Sequence, residues 1–203
     1  MEKSKILALI LGILTLTMGV ILFVSVVSSP LFWHQNKTQT QKPNFTAKNV
    51  TIIGDSITFL STKTLLKNID GLKAKNINAV GGRTWEQAVE IAKNIKLQPT
   101  VVFALGTNSP NLTRMNIDDA INTIGKNRKI VFVTNFTLEN SYKNNNSLLT
   151  EYAKNYSNIY LADWAHAVKD KANKYLTPDP IHPNEKGMRV FTDTIEKTLK
   201  KIN

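Results

Sequence analysis

Five short apolar segments constrain the fold of this chain more than any other feature, because each is followed by a turn and then by a helical pattern. The third segment shows no alternation of polar residues, as expected for a strand that is covered on both faces. Strands that alternate with helices predict a parallel sheet with right-handed crossover connections. The five segments, read from Asn49 onwards, are VTIIG, KNINAV, TVVFALG, KIVFVTN and NIYLADW.

The segments between these strands show the spacing of amphipathic helices. We therefore expect an α/β fold, a three-layer α/β/α sandwich around a five-stranded parallel sheet. Asn184 is expected to cap the last helix, with Glu185 in its first turn. The expected helices are SITFLSTKTLLKNI, TWEQAVEIAKNI, IDDAINTIGKN, SLLTEYAKNY, WAHAVKDKANKY and residues 184–201.

An uncharged run from Ile6 to Trp33 precedes this pattern. About 20 apolar residues span a bilayer, so residues 1–33 are expected to form a short cytoplasmic tail and one transmembrane helix. A cleaved signal peptide is the alternative, but its apolar region is shorter. An uncleaved signal anchor is therefore preferred, and the lysines of the tail favour an N-terminus inside the cell. The rest of the chain would then be extracytoplasmic and held at the cell membrane.

Residues 34–48 are polar and lack hydrophobic periodicity, which is typical of a linker. The sequence therefore predicts three parts: an anchor over residues 1–33, a linker over 34–48 and a folded domain over 49–203. A chain of 203 residues is long enough for one domain with a proper core plus such an appendage.

The composition limits the partners of the chain. Its 26 Lys and Arg residues exceed its 15 Asp and Glu residues, which gives a net charge of +11. Such a surface is either simply solvated or suited to anionic cell-surface polymers and lipid headgroups. Nucleic acid is not expected, because the domain is predicted to be exported and no basic run is interleaved with aromatic residues. The absence of cysteine excludes disulfides, thiolate metal sites and a cysteine nucleophile.

Groups suited to acyl transfer follow three of the predicted strands and precede the last helix. Ligands of parallel α/β sheets bind outside the carboxyl ends of the strands. A serine hydroxyl can act as a nucleophile when a histidine takes its proton, and a carboxylate can orient that histidine. Backbone N–H groups and an asparagine amide can stabilise an oxyanion. The four stretches, in chain order, are Gly54-Asp55-Ser56, Gly81-Gly82-Arg83-Thr84, Gly106-Thr107-Asn108 and Asp179-Pro180-Ile181-His182.

The chain contains a second Asp-x-x-His, formed by Asp163 and His166. His166 lies in a stretch with helical spacing, where Asp163 is expected to be the N-cap. His182 instead follows PDPI and precedes PN, and proline restricts the backbone on both sides of it. Either motif alone is common by chance, and the stiff loop makes His182 the preferred base.

Taken in order, these blocks resemble those of the SGNH, or GDSL-type, hydrolases. IIGDSIT resembles the nucleophile block, NAVGGRT the glycine block, ALGTN the asparagine block and DPIH the Asp-x-x-His block. The segment from NNNSLLTEY to DPIHPNEKG is also similar to the extracytoplasmic SGNH domain of bacterial peptidoglycan O-acetyltransferases. In that family the domain usually follows a multi-helix membrane acyltransferase module, whereas one membrane helix is predicted here.

The resemblance implies a flavodoxin-like SGNH fold and a role for each matching residue. Ser56 would be the nucleophile, His182 the general base and then the general acid, and Asp179 the residue that orients His182. The backbone N–H groups of Ser56 and Gly82 and the amide of Asn108 would form the oxyanion hole.

Other residues near the strand ends have weaker assignments. Asp55 is expected to be a structural residue of its turn. Arg83 and Trp85 are expected to contact the substrate, and Asn135 to support the residues that do. Trp85 also fits a core position on a helix face. No metal or cofactor is expected.

Three functions remain open. The preferred one is a membrane-anchored serine acyltransferase or esterase that acts on O-acetyl groups of cell-wall or surface polysaccharide. A separate multi-helix membrane acyltransferase could then supply the acyl group. The alternatives are a lipid esterase or thioesterase, and a non-catalytic cell-wall-binding module that keeps the same fold.

Overall fold

The computed structural model describes residues 45–137 and 142–202. The predicted anchor over residues 1–33 and most of the predicted linker lie outside the described residues. Within the described ranges, none of the helices combines the length and the apolar character that crossing a membrane requires. Packing begins at the first described residues, since Ala47 is fully buried and Phe45 contacts the same core cluster.

A five-stranded parallel sheet forms the centre of this fold. Its strand order, β2-β1-β3-β4-β5, places β1 between β2 and β3. The chain therefore places β2 on one side of β1 and β3, β4 and β5 on the other. This reversal creates a topological switch point between β1 and β3. The predicted α/β fold with five parallel strands is confirmed. The strands are β1 (Val50–Gly54), β2 (Ile77–Ala79), β3 (Thr100–Ala104), β4 (Lys129–Val133) and β5 (Ile159–Ala162).

Helices cover both faces of the sheet. Asn184 caps the last of them as predicted, because its Oδ1 accepts hydrogen bonds from the backbone N–H groups of Lys186 and Gly187 at 3.0 and 3.1 Å. The α-helices of the described ranges are α1 (Ser56–Asn68), α2 (Trp85–Asn94), α3 (Arg114–Ile124), α4 (Lys143–Asn155), α5 (Trp164–Val168), α6 (Ala172–Tyr175) and α7 (Glu185–Ile202).

The sheet separates two apolar cores, because alternate residues of a strand point to opposite faces. On one face, Ile52 packs in a cluster that includes Leu65 of α1 and Ile195 of α7. On the other face, Ile53 packs in a cluster with residues of α2, α3 and α4, among them Trp85. Burying each such side chain contributes about 1.5–3 kcal/mol, so both helical layers are held to the sheet mainly by apolar contact.

Two helices begin earlier than predicted. α3 starts at Arg114, three residues before Ile117, because Thr113 and Asn116 form a capping box at its N-terminus. α4 starts at Lys143, within the asparagine-rich run that precedes the predicted segment. The helical pattern of apolar residues marks the middle of a helix better than a first turn that is built from polar residues.

The stretch WAHAVKDKANKY, predicted as one helix, is divided. It forms α5, a 3-10 turn over Lys169–Lys171 and α6. Lys171 leaves the helical region with φ −143° and ψ 33°, so the two α-helical turns do not join.

The end of β1 packs closely against the first turn of α1. A Cβ built on Gly54 would lie 2.1 Å from Oγ1 of Thr58 and 2.3 Å from its Cβ. Thr58 is fully buried and cannot move aside into solvent. Glycine at this position therefore allows β1 to turn directly into α1, which begins two residues later at Ser56.

We expect Gly54→Ala to lower the free energy of unfolding by about 1–3 kcal/mol, the usual cost of overpacking. Urea denaturation followed by circular dichroism measures the change. Gly81→Ala is the matched control, because nothing lies within 4 Å of a Cβ built there. Its effect should stay within about 0.5 kcal/mol, and equal midpoints for the two variants would contradict the close approach.

Candidate active site

Ser56 lies at the point where β1 turns into α1. Asp55 is the N-cap of α1, and its Oδ1 accepts a hydrogen bond of 3.0 Å from the backbone N–H of Ile57. Burial raises the pKa of the Asp55 carboxyl, and the hydrogen bond from Ile57 opposes this effect. Asp55 is therefore a structural residue of the turn, as predicted. It holds Ser56 at the first position of the helix, with its side chain partly exposed.

His182 contacts both Ser56 and Asp179. Its Nε2 lies 3.0 Å from Ser56 Oγ, and its Nδ1 lies 2.6 Å from Asp179 Oδ2. Hydrogen bonds from the backbone and side chain of His182 hold the pKa of the Asp179 carboxyl well below its usual value. An ionised carboxylate only accepts hydrogen bonds, so Nδ1 of the neutral imidazole carries the proton. Nε2 is then free to accept the proton of Ser56.

Internal hydrogen bonds fix the loop between α6 and α7 that carries Asp179 and His182. Asp179 Oδ1 accepts from the backbone N–H groups of Ile181 and His182 at 3.0 and 2.9 Å. The Thr177 hydroxyl donates to the same oxygen at 2.8 Å, and the Thr177 N–H donates to the His182 carbonyl at 2.8 Å. The Asn184 amide donates to two carbonyls at the end of α6. These polar contacts act together with the proline restriction that the sequence predicts.

Arg83 holds the glycine turn after β2 against the end of β1. Its buried guanidinium donates to the Gly54 carbonyl at 3.1 Å and to the carbonyl and side-chain oxygen of Asn78 at 2.6 and 2.7 Å. Gly82, next to it, has φ +73°, in the left-handed region that favours glycine. The expectation that Arg83 contacts the substrate is not met by this arrangement, because its guanidinium points inward. Arg83 instead positions Gly82 beside the residues that precede Ser56.

The loop after β3 carries Asn108 next to the glycine turn. Asn108 is exposed, and its Nδ2 donates a hydrogen bond of 3.1 Å to the Arg83 carbonyl. A side-chain amide nitrogen has two N–H donors, so that bond leaves a second donor for another acceptor. Gly82 and Asn108, the two elements predicted to complete the oxyanion hole, are thus brought together at the switch point of the sheet.

Side chains at the start of α4 form hydrogen bonds that hold the loop after β3 in place. The Tyr142 hydroxyl donates to the Thr107 carbonyl at 2.6 Å. Asn145 is fully buried, and its Nδ2 donates to the Ser109 carbonyl at 2.8 Å. Its Oδ1 accepts from the Leu112 N–H at 3.0 Å. Both ends of the Asn145 amide are therefore engaged in fixing this loop.

Trp85 and Asn135 lie inside the protein. Trp85 is 1 % exposed and packs against Phe103 and Phe132, with ring centroids 4.9 and 5.7 Å away. Trp85 therefore occupies the core position on the helix face, where it does not contact a substrate at the surface. Asn135 is also buried, and its Nδ2 donates to the Leu105 carbonyl at 3.1 Å. Asn135 thus supports the loop after β3 from the neighbouring strand.

The second Asp-x-x-His forms a helix cap. Asp163 Oδ1 accepts from the His166 backbone N–H at 3.1 Å and from the Thr134 hydroxyl at 3.0 Å. His166 is a helix residue, as predicted, and Asp163 contacts its backbone. The same Asp-x-x-His spacing therefore gives a side-chain contact between Asp179 and His182 but only an N-cap hydrogen bond between Asp163 and His166.

The fold is shared with proteins of known structure. The C-terminal catalytic domain of Streptococcus pneumoniae peptidoglycan O-acetyltransferase A, solved with a methylsulfonyl adduct, has a TM-score of 0.68 and 24 % sequence identity. The similarity covers 75 % of this chain and 93 % of that one. A member of the lipolytic protein G-D-S-L family from Veillonella parvula has a TM-score of 0.60 and 16 % identity, covering 73 % of this chain and 96 % of that one. These similarities show an SGNH-type fold.

Sequence relatives point to the same group. YrhL of Bacillus subtilis, provisionally named a peptidoglycan O-acetyltransferase, is 29 % identical over 167 residues, which are 80 % of this chain and 25 % of YrhL. The chain spans about a quarter of the length of the curated relatives it matches. No family model matches the chain. The predicted resemblance to SGNH hydrolases, and to the SGNH domain of peptidoglycan O-acetyltransferases, is confirmed.

Sequence reasoning does not identify Tyr142, Asn145 or Thr177 as residues that hold the site. Asn145 stands in the run KNNNSLL, where frequent asparagine conceals its role. One signal was available, because Asn145, Leu149 and Tyr152 have helical spacing and are the buried residues of α4. A polar residue on the buried face of a helix needs hydrogen-bond partners, which here are in the loop after β3.

We expect Asn145→Ala to lower the free energy of unfolding by about 2–4 kcal/mol, because each buried backbone group left without a partner costs about 1–3 kcal/mol. Asn144→Ala is the matched control, since Asn144 is its exposed neighbour and should change stability by less than about 0.5 kcal/mol. Chemical denaturation of both variants measures the difference. Equal stability would show that Asn145 does not hold the loop.

Proposed function

We propose that this chain is a serine O-acetyltransferase or acetylesterase that acts on O-acetyl groups of cell-wall polysaccharide through an acyl-serine intermediate. One observation carries the proposal: Ser56, His182 and Asp179 form a continuous chain of contacts of 3.0 and 2.6 Å at the carboxyl edge of the sheet. The similarity to peptidoglycan O-acetyltransferases supports the choice of an O-acetyl group and of a cell-wall glycan.

The first half of the reaction forms the acyl-serine. Nε2 of His182 takes the hydroxyl proton of Ser56 as Oγ attacks the carbonyl carbon of the acyl donor. The oxyanion accepts hydrogen bonds from the backbone N–H groups of Ser56 and Gly82 and from the amide of Asn108, the type of stabilisation that usually contributes most to such reactions. His182 then gives its proton to the leaving oxygen, and Asp179 stabilises the imidazolium in between.

The second half removes the acyl group. A sugar hydroxyl or a water molecule gives its proton to His182 and attacks the acyl carbonyl. As the tetrahedral intermediate collapses, the C–O bond to Ser56 breaks and His182 returns the proton to Ser56 Oγ. Attack by sugar makes an O-acetyltransferase, and attack by water makes an esterase. The same three side chains serve both outcomes, so the choice depends on which acceptor is held beside Ser56.

The proposal also gives the chain a place in the cell. Residues 1–33 would be the signal anchor with a cytoplasmic N-terminus, residues 34–48 the linker, and residues 49–203 the extracytoplasmic catalytic domain. The uncharged run from Ile6 to Trp33 supports this arrangement. A separate multi-helix membrane acyltransferase would supply the acyl group from the membrane side.

A second candidate function has one supporting observation. Phe59 and Leu60, on the turn of α1 that follows Ser56, are 57 % and 40 % exposed. Apolar side chains this close to the nucleophile could contact a longer acyl chain, as in a lipid esterase or thioesterase. Rates on activated esters of acetyl, butyryl and octanoyl groups decide between the two: preference for octanoyl would favour the lipid esterase.

Ser56→Ala should lower release of acetate from an activated acetyl ester by about 10³-fold or more, because the nucleophile is lost. The assay uses the full-length protein in detergent micelles. Mass spectrometry should find acetyl on the wild-type peptide that contains Ser56, and a glycan acceptor should discharge it faster than water does.

Ser157→Ala, at an exposed turn, is the control for this test and should keep the wild-type rate. His182→Ala should lose activity, as Ser56→Ala does. Wild-type rates for both Ser56→Ala and His182→Ala would overturn the catalytic assignment. Binding to cell wall without turnover of any ester would favour the non-catalytic wall-binding module.

Asp179→Asn should lower kcat by about 10²–10⁴-fold, because the amide cannot stabilise the imidazolium and can hold the wrong tautomer. The control is Asp193→Asn, an exposed carboxylate on α7. The pH profile is a second measure. Since the pKa of Asp179 is lowered, this carboxylate stays ionised between pH 5 and 8. The rate should therefore fall toward acid with the slope of one proton, and a slope of two would contradict this.

A further inference from the structure

A cavity of about 210 Å³ lies at the carboxyl ends of β4 and β5. It is small compared with the pockets of about 300–1,000 Å³ that enclose drug-sized ligands, so it suits one ring-sized group. Its lining combines two aromatic side chains, Phe136 and Tyr142, two amides, Asn135 and Asn146, and two basic side chains, His166 and Lys169. None of these groups takes part in the proposed chemical steps, although Tyr142 and Asn135 hold the loop after β3.

The cavity lies on the same edge of the sheet as the reaction centre. Neighbouring strands are about 4.8 Å apart, and β5 is three strands from β1, so the cavity is about 10–14 Å from Ser56. Tyr142 connects the two places, because it lines the cavity and its hydroxyl donates to the carbonyl of Thr107, the residue before Asn108. One polymer chain can therefore reach both.

The two basic residues of the cavity, His166 and Lys169, are exposed and lie three positions apart, which is about one helical turn. Lys169 makes no ion pair with any residue of 45–137 or 142–202. Lys169 is therefore able to pair with an anionic group of a ligand without first breaking a contact in this part of the chain.

A neighbouring hollow extends the basic character of this region. It shares Asn146 with the cavity and is also lined by Lys143 and Lys154. Its two acidic residues already have partners. Glu151 accepts two hydrogen bonds from Arg114 at 2.6 and 2.7 Å. Asp163 accepts one from the His166 N–H, which caps α5, and one from the Thr134 hydroxyl. Glu151 is neutralised by Arg114, whereas Asp163 keeps its charge, so two lysines face one carboxylate and the hollow remains net positive.

We propose that this cavity is a subsite for a carboxylate-bearing sugar of the acceptor glycan, an inference that rests on the proposed function. Lys169, with His166 beside it, pairs with the carboxylate. Phe136 and Tyr142 pack against the sugar ring. A glycan held here would run along the sheet edge toward Asn108 and present a hydroxyl of a sugar further along the polymer to the acyl group on Ser56.

The test measures binding separately from turnover, with the full-length Ser56→Ala variant. The probes are a tetrasaccharide of alternating N-acetylglucosamine and N-acetylmuramic acid and the neutral tetrasaccharide of N-acetylglucosamine. We expect the acidic probe to bind about tenfold more tightly, as one charge-assisted contact contributes on the order of 1.4 kcal/mol. Isothermal titration calorimetry gives both dissociation constants.

Adding Lys169→Glu should remove the preference for the acidic probe and change the affinity for the neutral probe by less than about twofold. Lys126→Glu is the matched control, an exposed lysine just before β4 at the opposite edge of the sheet, and it should keep the preference. Equal binding of the two probes, or a preference that survives Lys169→Glu, would overturn the subsite. Failure to form acetyl-Ser56 in the wild-type protein would instead overturn the proposed function, so the two failures are distinguishable.

Discussion

The site depends on the contact of 3.0 Å between Ser56 and His182, which joins residues 126 positions apart in the chain. Ser56 begins α1, and His182 precedes the start of α7 by three residues. These two helices pack on the same face of the sheet, in the core cluster that contains Leu65 and Ile195. The serine and histidine therefore come into contact only when that apolar layer is assembled, and the geometry of the candidate site is a consequence of the packing of the fold.

The strand order adds a second constraint. The switch point between β1 and β3 opens a crevice at the carboxyl edge, and the loops on its two sides are connected by Arg83. Its guanidinium reaches the Gly54 carbonyl, and its own carbonyl accepts from Asn108. One buried residue thus links the turn before Ser56, the glycine turn and the asparagine loop. Donors fixed in this way need little reorganisation when negative charge develops, which is the condition for effective oxyanion stabilisation.

The sequence was sufficient for features that are local or repeated, and insufficient for features that depend on packing between distant segments. Each strand carries a short apolar run that is followed by a turn and a helical pattern, so β1 to β5 could be predicted, and the order of the four motifs singled out Ser56, Asn108 and His182. The inward direction of Arg83 could not be predicted. An arginine after a glycine pair is expected at the surface unless the positions of its partners, the carbonyls of Gly54 and Asn78, are known. Asn145 was missed for the same reason, since its partners lie 33 and 36 residues away.

The openness of the site bears on the choice between transfer and hydrolysis. Ser56 and His182 are partly exposed and Asp179 is exposed, so water can reach Ser56 and the acyl group that the proposed reaction places on it. A sugar hydroxyl then competes with solvent through its position, and effective molarities of well-oriented groups reach about 10⁵–10⁸ M. Acceptor binding at a distance from Ser56 supplies such orientation without closing the site. Under the proposed function, residues near β4 and β5 would therefore determine whether the acyl group on Ser56 is transferred or hydrolysed.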